Sequence, residues 1–128
     1  MDNCLNGLKD KITPEYVQIL LERIASNSFW VGQCLIWQKS VHSGGYPQIK
    51  VTVRGWGGRP VLTHRLLYVL KTKQYDLGID HVSHVCHHCL CVNFDHLSLE
   101  PAPVNMQRQF CKMTKVCSGH GDYSHCIL

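Results

Sequence analysis

The chain has 128 residues, of which 45% are hydrophobic, and its formal net charge is +4. This length predicts one domain, or one domain with a short extension, and a core of modest size. The charge favours an anionic partner only if the basic side chains share one face. No apolar run is long enough to span a bilayer, and the first ten residues lack the features of a signal peptide. These features predict an intracellular protein without a membrane partner.

A polar segment that contains Cys4 is followed by a predicted amphipathic helix over residues 14–26. Thr13 can cap its first turn, and Pro14 loses no hydrogen bond at the first helical position. Apolar residues then recur at helical spacing, namely Val17, Leu20, Leu21 and Ile24. The helix is therefore expected to bury one face. Cys4 has no partner at ligand spacing and is expected to be a free thiol.

Short strands are predicted from Phe29 onward. Residues 29–37 are aromatic and apolar, and the turn signal at residues 43–45 predicts that they fold back on the next strand. That strand, residues 48–54, alternates apolar and polar side chains, so one face is core and the other is polar. After a second turn at residues 55–60, Thr63 is predicted to cap a helix that ends near residue 72.

The polar face of the strand at residues 48–54 carries four hydrogen-bonding side chains, Gln48, Lys50, Thr52 and Arg54. A solvated sheet surface would show the same alternation. However, the chain has no acidic residue between Glu22 and Asp76. A two-stranded ribbon fits the major groove of DNA, where Arg or Lys reads guanine and Gln reads adenine. We therefore expect these four side chains, on a ribbon at residues 46–56, to bind double-stranded DNA.

Eight cysteines are interleaved with nine histidines, which favours metal sites over four disulfides. One complete set of four zinc ligands consists of Cys111, Cys117, His120 and Cys126. Three further ligands are Cys86, Cys91 and His96, and the obvious fourth donor is Cys34. Three alternatives remain open, because Cys89 could replace Cys91, His84 could act as a ligand, and His125 could replace His120. Two structural zinc ions are predicted, and the metal-free protein is expected to be largely unfolded.

The second half of the chain resembles the His-Cys box homing endonucleases, a branch of the ββα-metal, or His-Me finger, nucleases. The resemblance covers about residues 30–126, and the residues that carry it are Ser83-His84-Val85-Cys86, Cys91, His96-Leu97, Glu100, Asn105, Arg108 and the second zinc set. It implies a small zinc-stabilised α+β fold with an antiparallel DNA-binding β-ribbon. The chain divides accordingly into an N-terminal extension, residues 1–28, and a zinc-bound nuclease domain, residues 29–128.

The resemblance implies a site-specific, Mg²⁺-dependent endonuclease that cuts both DNA strands and leaves 5′-phosphate and 3′-hydroxyl ends. It assigns His84 as the general base, and an imidazole is indeed neutral and available near pH 7. It assigns Asn105 as the ligand of one catalytic Mg²⁺, a cation that prefers oxygen ligands, although Asn105 could also cap a helix. Arg54 would bind the phosphate or stabilise its developing charge.

A homodimer is expected, since cutting both strands requires two active sites. The best-known members of the family dimerise through a longer tail after the second zinc site, so the interface is expected in the N-terminal helix or in residues 97–110. The family also implies a nuclear location. Two other functions remain open. One is a non-catalytic zinc-stabilised DNA-binding regulator, which would need neither His84 nor Asn105, and the other is a relatively non-specific defence nuclease.

Overall fold

The computed structural model describes the backbone of residues 4–128 and the side chains of residues 5–128. Within that part of the chain, the six strands form three separate two-stranded antiparallel sheets. The elements in order are a 3₁₀ helix (Cys4–Leu8), α1 (Pro14–Ser26), β1 (Ser28–Val31), β2 (Cys34–Trp37), β3 (Gln48–Val53), β4 (Gly57–Leu62), α2 (Thr63–Thr72), β5 (His81–His84), a second 3₁₀ helix (Phe94–His96), β6 (Leu97–Glu100) and α3 (Ala102–Thr114). The predicted α+β fold is confirmed.

Helix α1 begins and ends where its sequence pattern predicts. The Thr13 hydroxyl caps it by accepting a hydrogen bond of 3.1 Å from the backbone N–H of Tyr16. Leu20 and Ile24 are buried on its inner face. The Tyr16 hydroxyl also accepts a 3.3 Å hydrogen bond from the backbone N–H of Thr52. Side chains of α1 therefore satisfy backbone groups at the outer edge of β3, since Arg23 also donates to the carbonyl of Lys50.

The sequence predicted the wrong partner strands in the first half of the chain. Residues 29–37 do not fold back on the strand that begins at Gln48, because β1 and β2 pair with each other across a tight turn at Gly32. Gly32 has a φ of +60°, which glycine adopts without steric cost. The second strand of the ribbon is β4, which pairs with β3. It occupies much of the segment predicted as a turn at residues 55–60.

The alternation predicted for β3 is confirmed by the burial of its side chains. Ile49, Val51 and Val53 are buried, whereas Lys50 and Thr52 are exposed. The buried face packs in a hydrophobic cluster to which α1, α2 and β5 also contribute, so the ribbon is fixed on the body of the protein. Its polar face remains open.

Helix α2 follows β4 without an intervening loop, and this connection overturns the predicted cap. Leu62 occupies the N-cap position, and no side chain caps the helix. Thr63 is already helical and fully buried, and its hydroxyl has no hydrogen-bond partner among the described residues. The backbone N–H of Thr63 instead donates to the carbonyl of Pro47 at 2.8 Å. The helix ends at Thr72, as predicted.

The C-terminal part of the chain forms a ββα unit from β5, β6 and α3. β5 and β6 are antiparallel, with Ser83 opposite Ser98, and α3 starts two residues after β6. Among the described residues, no helix has the length and apolar character needed to cross a membrane. Leu5 and Leu8, from the first 3₁₀ helix, belong to the same hydrophobic cluster as α2 and β5. The N-terminal extension thus shares the core of the remaining chain.

Replacing Leu20 by Ala should lower the free energy of unfolding by about 2–5 kcal/mol, because Leu20 is fully buried and its loss leaves a cavity. Ile19→Ala is the matched control at the adjacent position of α1. The Ile19 side chain is 49% exposed, so this change should cost only about 0.5 kcal/mol. Urea denaturation of the zinc-loaded proteins measures both changes. Equal losses would contradict the observed orientation of α1.

Candidate active site and metal centres

The first metal centre joins β2 to the loop between β5 and β6. The ligand atoms of Cys34, Cys86, Cys91 and His96 all lie within 4.8 Å of one another. Nδ1 of His96 is 3.7 Å from Sγ of Cys34 and 3.6 Å from Sγ of Cys91. A tetrahedral zinc with bonds of about 2.3 Å to sulfur and about 2.0 Å to nitrogen separates such atoms by roughly 3.6 Å. The cluster therefore fits a structural zinc.

The second metal centre joins the end of α3 to the C-terminal segment. Nε2 of His120 is 3.6 Å from Sγ of Cys111, 3.4 Å from Sγ of Cys117 and 3.4 Å from Sγ of Cys126. These separations also match tetrahedral zinc. The other ring nitrogen, Nδ1, donates to Oε1 of Gln107 at 2.9 Å. This bond fixes the tautomer that leaves Nε2 free to bind metal. Two structural zinc sites thus fit the protein.

The alternatives left open by the sequence find no support in this geometry. None of the seven described cysteine side chains forms a disulfide. Cys89 is exposed, and its thiol donates to the carbonyl of Gly45 at 3.2 Å, outside the first cluster. His84 and His125 belong to neither cluster. The side chain of Cys4 lies outside the described residues.

A cavity of about 400 Å³ lies between the start of α2, the end of β5 and one face of α3. The structure brings His84 and Asn105 together on its wall, although they lie on different elements. Two further rings accompany His84, with centroid distances of 4.5 Å to His64 and 6.1 Å to Tyr46. This cavity is the candidate active site.

His84 has a neutral ring with one nitrogen available to accept a proton. Its Nε2 is buried and has no hydrogen-bond partner among residues 4–128. Burial lowers the pKa of His84 from about 6.5 to about 4, although a hydrogen bond with the backbone of Cys91 opposes the shift. The imidazole is therefore neutral near pH 7 and can accept a proton. Because Cys91 and Cys86 are ligands of the first zinc site, the metal would also fix the backbone around His84.

The side-chain amide of Asn105 is oriented so that its carbonyl oxygen can bind a cation. Helix α3 begins at Ala102 with Pro101 at its N-cap, so Asn105 does not cap it. The Nδ2 group of Asn105 donates to the Ser83 hydroxyl at 2.6 Å, and its carbonyl oxygen forms the other arm of the amide. No group of three or more Cys, His or acidic ligands occurs in this cavity among the described residues. One neutral oxygen, with water and phosphate, suits Mg²⁺ better than zinc.

Arg54, the predicted phosphate-binding residue, lies outside the cavity. It is exposed on the turn after β3 and does not line the cavity, and neither do Gln48, Lys50 and Thr52. The cavity instead has Arg65 from α2 and Lys112 from α3 on its wall. Arg65 is buried, and its Nη1 donates to the carbonyl of Asp80 at 3.2 Å. The cationic side chains on the cavity wall therefore do not include Arg54, and its predicted role in binding the phosphate stays a prediction.

Several cavity residues carry no sequence motif that predicts a functional role. His42, His64 and His81 all line the cavity. His87 also lines it, with a left-handed φ of 65° and a buried Nε2 that lacks a partner among the described residues. Burial lowers the pKa of His87. No sequence signal indicated the contact between Ser83 and Asn105, which joins residues 22 positions apart.

Replacing Cys91 by Ser should reduce the zinc content from two ions to one per chain, because Cys91 belongs to the first cluster. Cys89→Ser is the matched control and should retain two, because Cys89 lies outside both clusters. Elemental analysis after gel filtration measures the ratio. Removal of both ions by EDTA should abolish the folded circular dichroism signal, since structural zinc contributes roughly 10–16 kcal/mol of apparent binding free energy. Two zinc ions in Cys91→Ser would contradict the assignment.

A family model described as the zinc-binding loop region of homing endonuclease matches residues 30–126. The matched segment contains both Cys₃His clusters and the cavity residues His84 and Asn105. No curated protein and no solved structure matches the chain. Since the matched segment spans well over half of the 128 residues, the chain belongs to the His-Me homing endonuclease family that is defined by this zinc-binding loop region.

Proposed function

We propose that this protein is a Mg²⁺-dependent, site-specific endonuclease that hydrolyses phosphodiester bonds in double-stranded DNA. Membership of the homing endonuclease family supports a nuclease and DNA-binding role. The observation that carries the proposal is the meeting of His84 and Asn105 on one cavity wall beside the first zinc cluster. A purely DNA-binding zinc module would not need an imidazole at this place with one ring nitrogen, Nε2, left without a hydrogen-bond partner among the described residues.

His84 acts as the general base in this proposal. A phosphodiester is hydrolysed when a water molecule loses a proton as it attacks phosphorus. The unpartnered Nε2 of His84 is the ring nitrogen available to take that proton, because the ring already bonds the backbone of Cys91. The first zinc cluster fixes the backbone at Cys86, two residues later, so the imidazole is held in place.

Asn105 would hold the catalytic cation through its carbonyl oxygen. The donor set of the cavity fits a hard divalent ion, because Asn105 contributes one neutral oxygen and leaves other positions to water and phosphate. When bound, Mg²⁺ neutralises charge on the phosphate and on the leaving oxygen. The positive charges of Arg65 and Lys112, on the same cavity wall, favour binding of the phosphodiester. The proposed products have 5′-phosphate and 3′-hydroxyl ends.

The β3–β4 ribbon is the proposed surface for reading the DNA sequence. Lys50 and Thr52 are exposed on its polar face and lie opposite Pro60 and Gly58 of β4. These two neighbours carry no long side chain that would block access to Lys50 and Thr52. Gln48, which begins β3, and Arg54, which follows it, extend the same row. A ribbon of this kind fits the major groove, where such side chains discriminate between bases.

We further propose that the protein acts as a homodimer, because cleavage of both strands requires two copies of the active site. The expected interface segment at residues 97–110 includes the first part of α3. Met106 and Phe110 in that segment are large apolar residues, and both are exposed. Exposure of such side chains is consistent with an interface at this helix.

Replacing His84 by Ala should lower the rate of DNA cleavage roughly 10²- to 10⁴-fold, because the proton acceptor is lost. Asn105→Ala should also impair cleavage, and a higher Mg²⁺ concentration should recover part of the rate. His125→Ala is the control, since His125 is exposed and belongs to neither the cavity nor a zinc cluster. Cleavage of a randomised duplex library by the zinc-loaded proteins gives both the rate and the preferred site.

The three possible functions give different results in that library. Mg²⁺-dependent cleavage at an enriched site by the unmodified protein supports the proposal. Binding without cleavage would identify a regulatory zinc module. Cleavage without sequence enrichment would identify a relatively non-specific nuclease. Retained DNA binding by His84→Ala would show that the variant remains folded.

Replacing Lys50 by Ala should relax the choice of base at one position of the DNA site, with a loss of about 1–3 kcal/mol of discrimination. Lys9→Ala is the matched control for charge, because Lys9 is exposed in the N-terminal extension, outside the ribbon. Sequencing of the cleaved library measures the preference at each position. A uniform loss of affinity with unchanged preference would show that Lys50 contacts phosphate instead of a base.

A further inference from the structure

A buried ion pair lies beside the active site and has no role in the mechanism described above. Glu100, at the end of β6, and Arg108, on α3, are at most 1% exposed. Arg108 binds the carboxylate with two donors, Nε to Oε1 at 2.5 Å and Nη2 to Oε2 at 2.7 Å. Burying two charges is expensive, and such a pair often adds little to stability compared with apolar residues. The contacts of this ion pair with neighbouring residues therefore indicate a role other than stability.

Ser83, Ser98 and Glu100 lie on one face of the β5–β6 pair, because Ser83 faces Ser98 and Glu100 follows Ser98 by two residues. The two serine hydroxyls act on the Glu100 carboxylate as hydrogen-bond donors that help to lower its pKa. Burial opposes ionisation of Glu100, but the bonds from Arg108 and the two serines outweigh it and lower the pKa of the carboxyl group. The two serines differ in one respect, because only Ser83 also contacts Asn105.

These bonds determine which way the Asn105 amide points. A serine hydroxyl has one hydrogen to donate, and Ser83 donates it to Glu100. The hydroxyl oxygen can therefore only accept from Asn105, which it does from Nδ2 at 2.6 Å. The amide nitrogen must face Ser83, and the carbonyl oxygen forms the opposite arm. A flipped amide would present its N–H groups to a cation and repel it.

The other side of Arg108 contacts the second metal centre. Its Nη1 donates to Sγ of Cys126 at 3.3 Å, and its Nη2 donates to the carbonyl of Ser124 at 2.8 Å. Cys126 is a ligand of the second zinc cluster. A hydrogen bond from a guanidinium to a thiolate is charge-assisted and directional. Hydrogen bonds thus connect the second zinc cluster through Arg108 to Glu100, and they connect Asn105 to Ser83. The action of the Ser83 hydroxyl on the Glu100 carboxylate joins these two parts into one series.

We propose that Ser83, Glu100 and Arg108 are positioning residues that orient the Asn105 carbonyl for the catalytic cation and make this orientation depend on the second zinc site. The cation-binding role of Asn105 rests on the proposed function, whereas the orientation of its amide rests on the hydrogen bonds alone. Groups that orient a metal ligand typically change metal affinity or activity 10- to 100-fold when they are replaced. An effect of that size is expected for Ser83.

The decisive experiment compares Ser83→Ala with Ser98→Ala in the zinc-loaded protein. Both changes remove one hydroxyl bonded to Glu100, but only the first frees the Asn105 amide. The Mg²⁺ concentration for half-maximal cleavage should rise about 10- to 100-fold in Ser83→Ala and remain nearly unchanged in Ser98→Ala. An equal shift in both variants would overturn the proposal, because the effect would then come from Glu100 alone.

A second measurement does not depend on activity. The Nδ2 protons of Asn105 should exchange slowly with water in an NMR experiment without DNA, and their signals can be assigned by their absence in Asn105→Ala. This protection should be lost in Ser83→Ala and kept in Ser98→Ala, with two zinc ions bound in each variant. Unchanged protection in Ser83→Ala would overturn the proposal even if the protein is a nuclease. A protein that does not cleave DNA but shows the expected loss of protection would refute only the proposed function.

The link to the second zinc site is tested by Arg108→Lys, which keeps the positive charge but not the fork of donors. Gln107→Ala is the matched control, because Gln107 contacts the same zinc site through His120 and lies outside the series. Arg108→Lys should lose protection of the Asn105 amide, and Gln107→Ala should retain it. Retained protection in Arg108→Lys would overturn the link. If Arg108→Lys loses zinc, the same NMR measurement is made on the unmodified protein after its zinc has been replaced by cadmium. Altered protection of the Asn105 amide would support the link, and unaltered protection would overturn it.

Discussion

A tetrahedral zinc ion holds four ligands at fixed distances, and this requirement unites parts of the chain that otherwise have few reasons to meet. In the first cluster, Cys34 and His96 are separated by 62 residues, yet their ligand atoms are 3.7 Å apart. The three sheets have only two strands each, and a single hairpin is marginally stable in water. Metal binding and the shared hydrophobic core therefore supply the stability that a larger sheet would provide elsewhere.

The candidate active site is connected along the chain to the same two clusters. His84 lies two residues before the zinc ligand Cys86, and Asn105 lies on the helix that ends near the zinc ligand Cys111. Catalysis requires reacting groups to be held close to their productive geometry. Short elements can meet this requirement here, because each proposed catalytic side chain lies on an element next to a zinc-ligand residue.

The parts of the structure that could be predicted from the sequence are those controlled by local patterns. The spacing of cysteines and histidines indicated both zinc clusters, the alternation in β3 indicated its buried face, and Thr13-Pro14 indicated the start of α1. Local patterns failed where a single glycine decides the pairing, since Gly32 divides one apolar run into two strands. They also failed at Thr63, because the direct passage from β4 into α2 removed the position for a cap.

The candidate site could be predicted only in part, because motifs in the sequence indicate single residues but not the contacts between distant segments. The resemblance located His84 and Asn105, but the composition of the cavity wall depends on tertiary contacts between distant segments. Arg65 reaches the cavity from α2, whereas Arg54, at the assigned position, lies outside it. The hydrogen bonds among Ser83, Glu100 and Arg108 join three different elements, and no spacing in the chain specifies them.

The arrangement of three separate hairpin-like sheets also bears on how the chain folds. The β1–β2 and β3–β4 pairs connect neighbours in the sequence, so they can form on the microsecond scale typical of hairpins. The first metal cluster, in contrast, must close a loop of 62 residues, and long loops carry a higher entropic cost. We therefore expect capture of this zinc ion, and not strand pairing, to limit the rate at which the native protein appears. The concentration of free zinc would then control the kinetics of folding as well as its equilibrium.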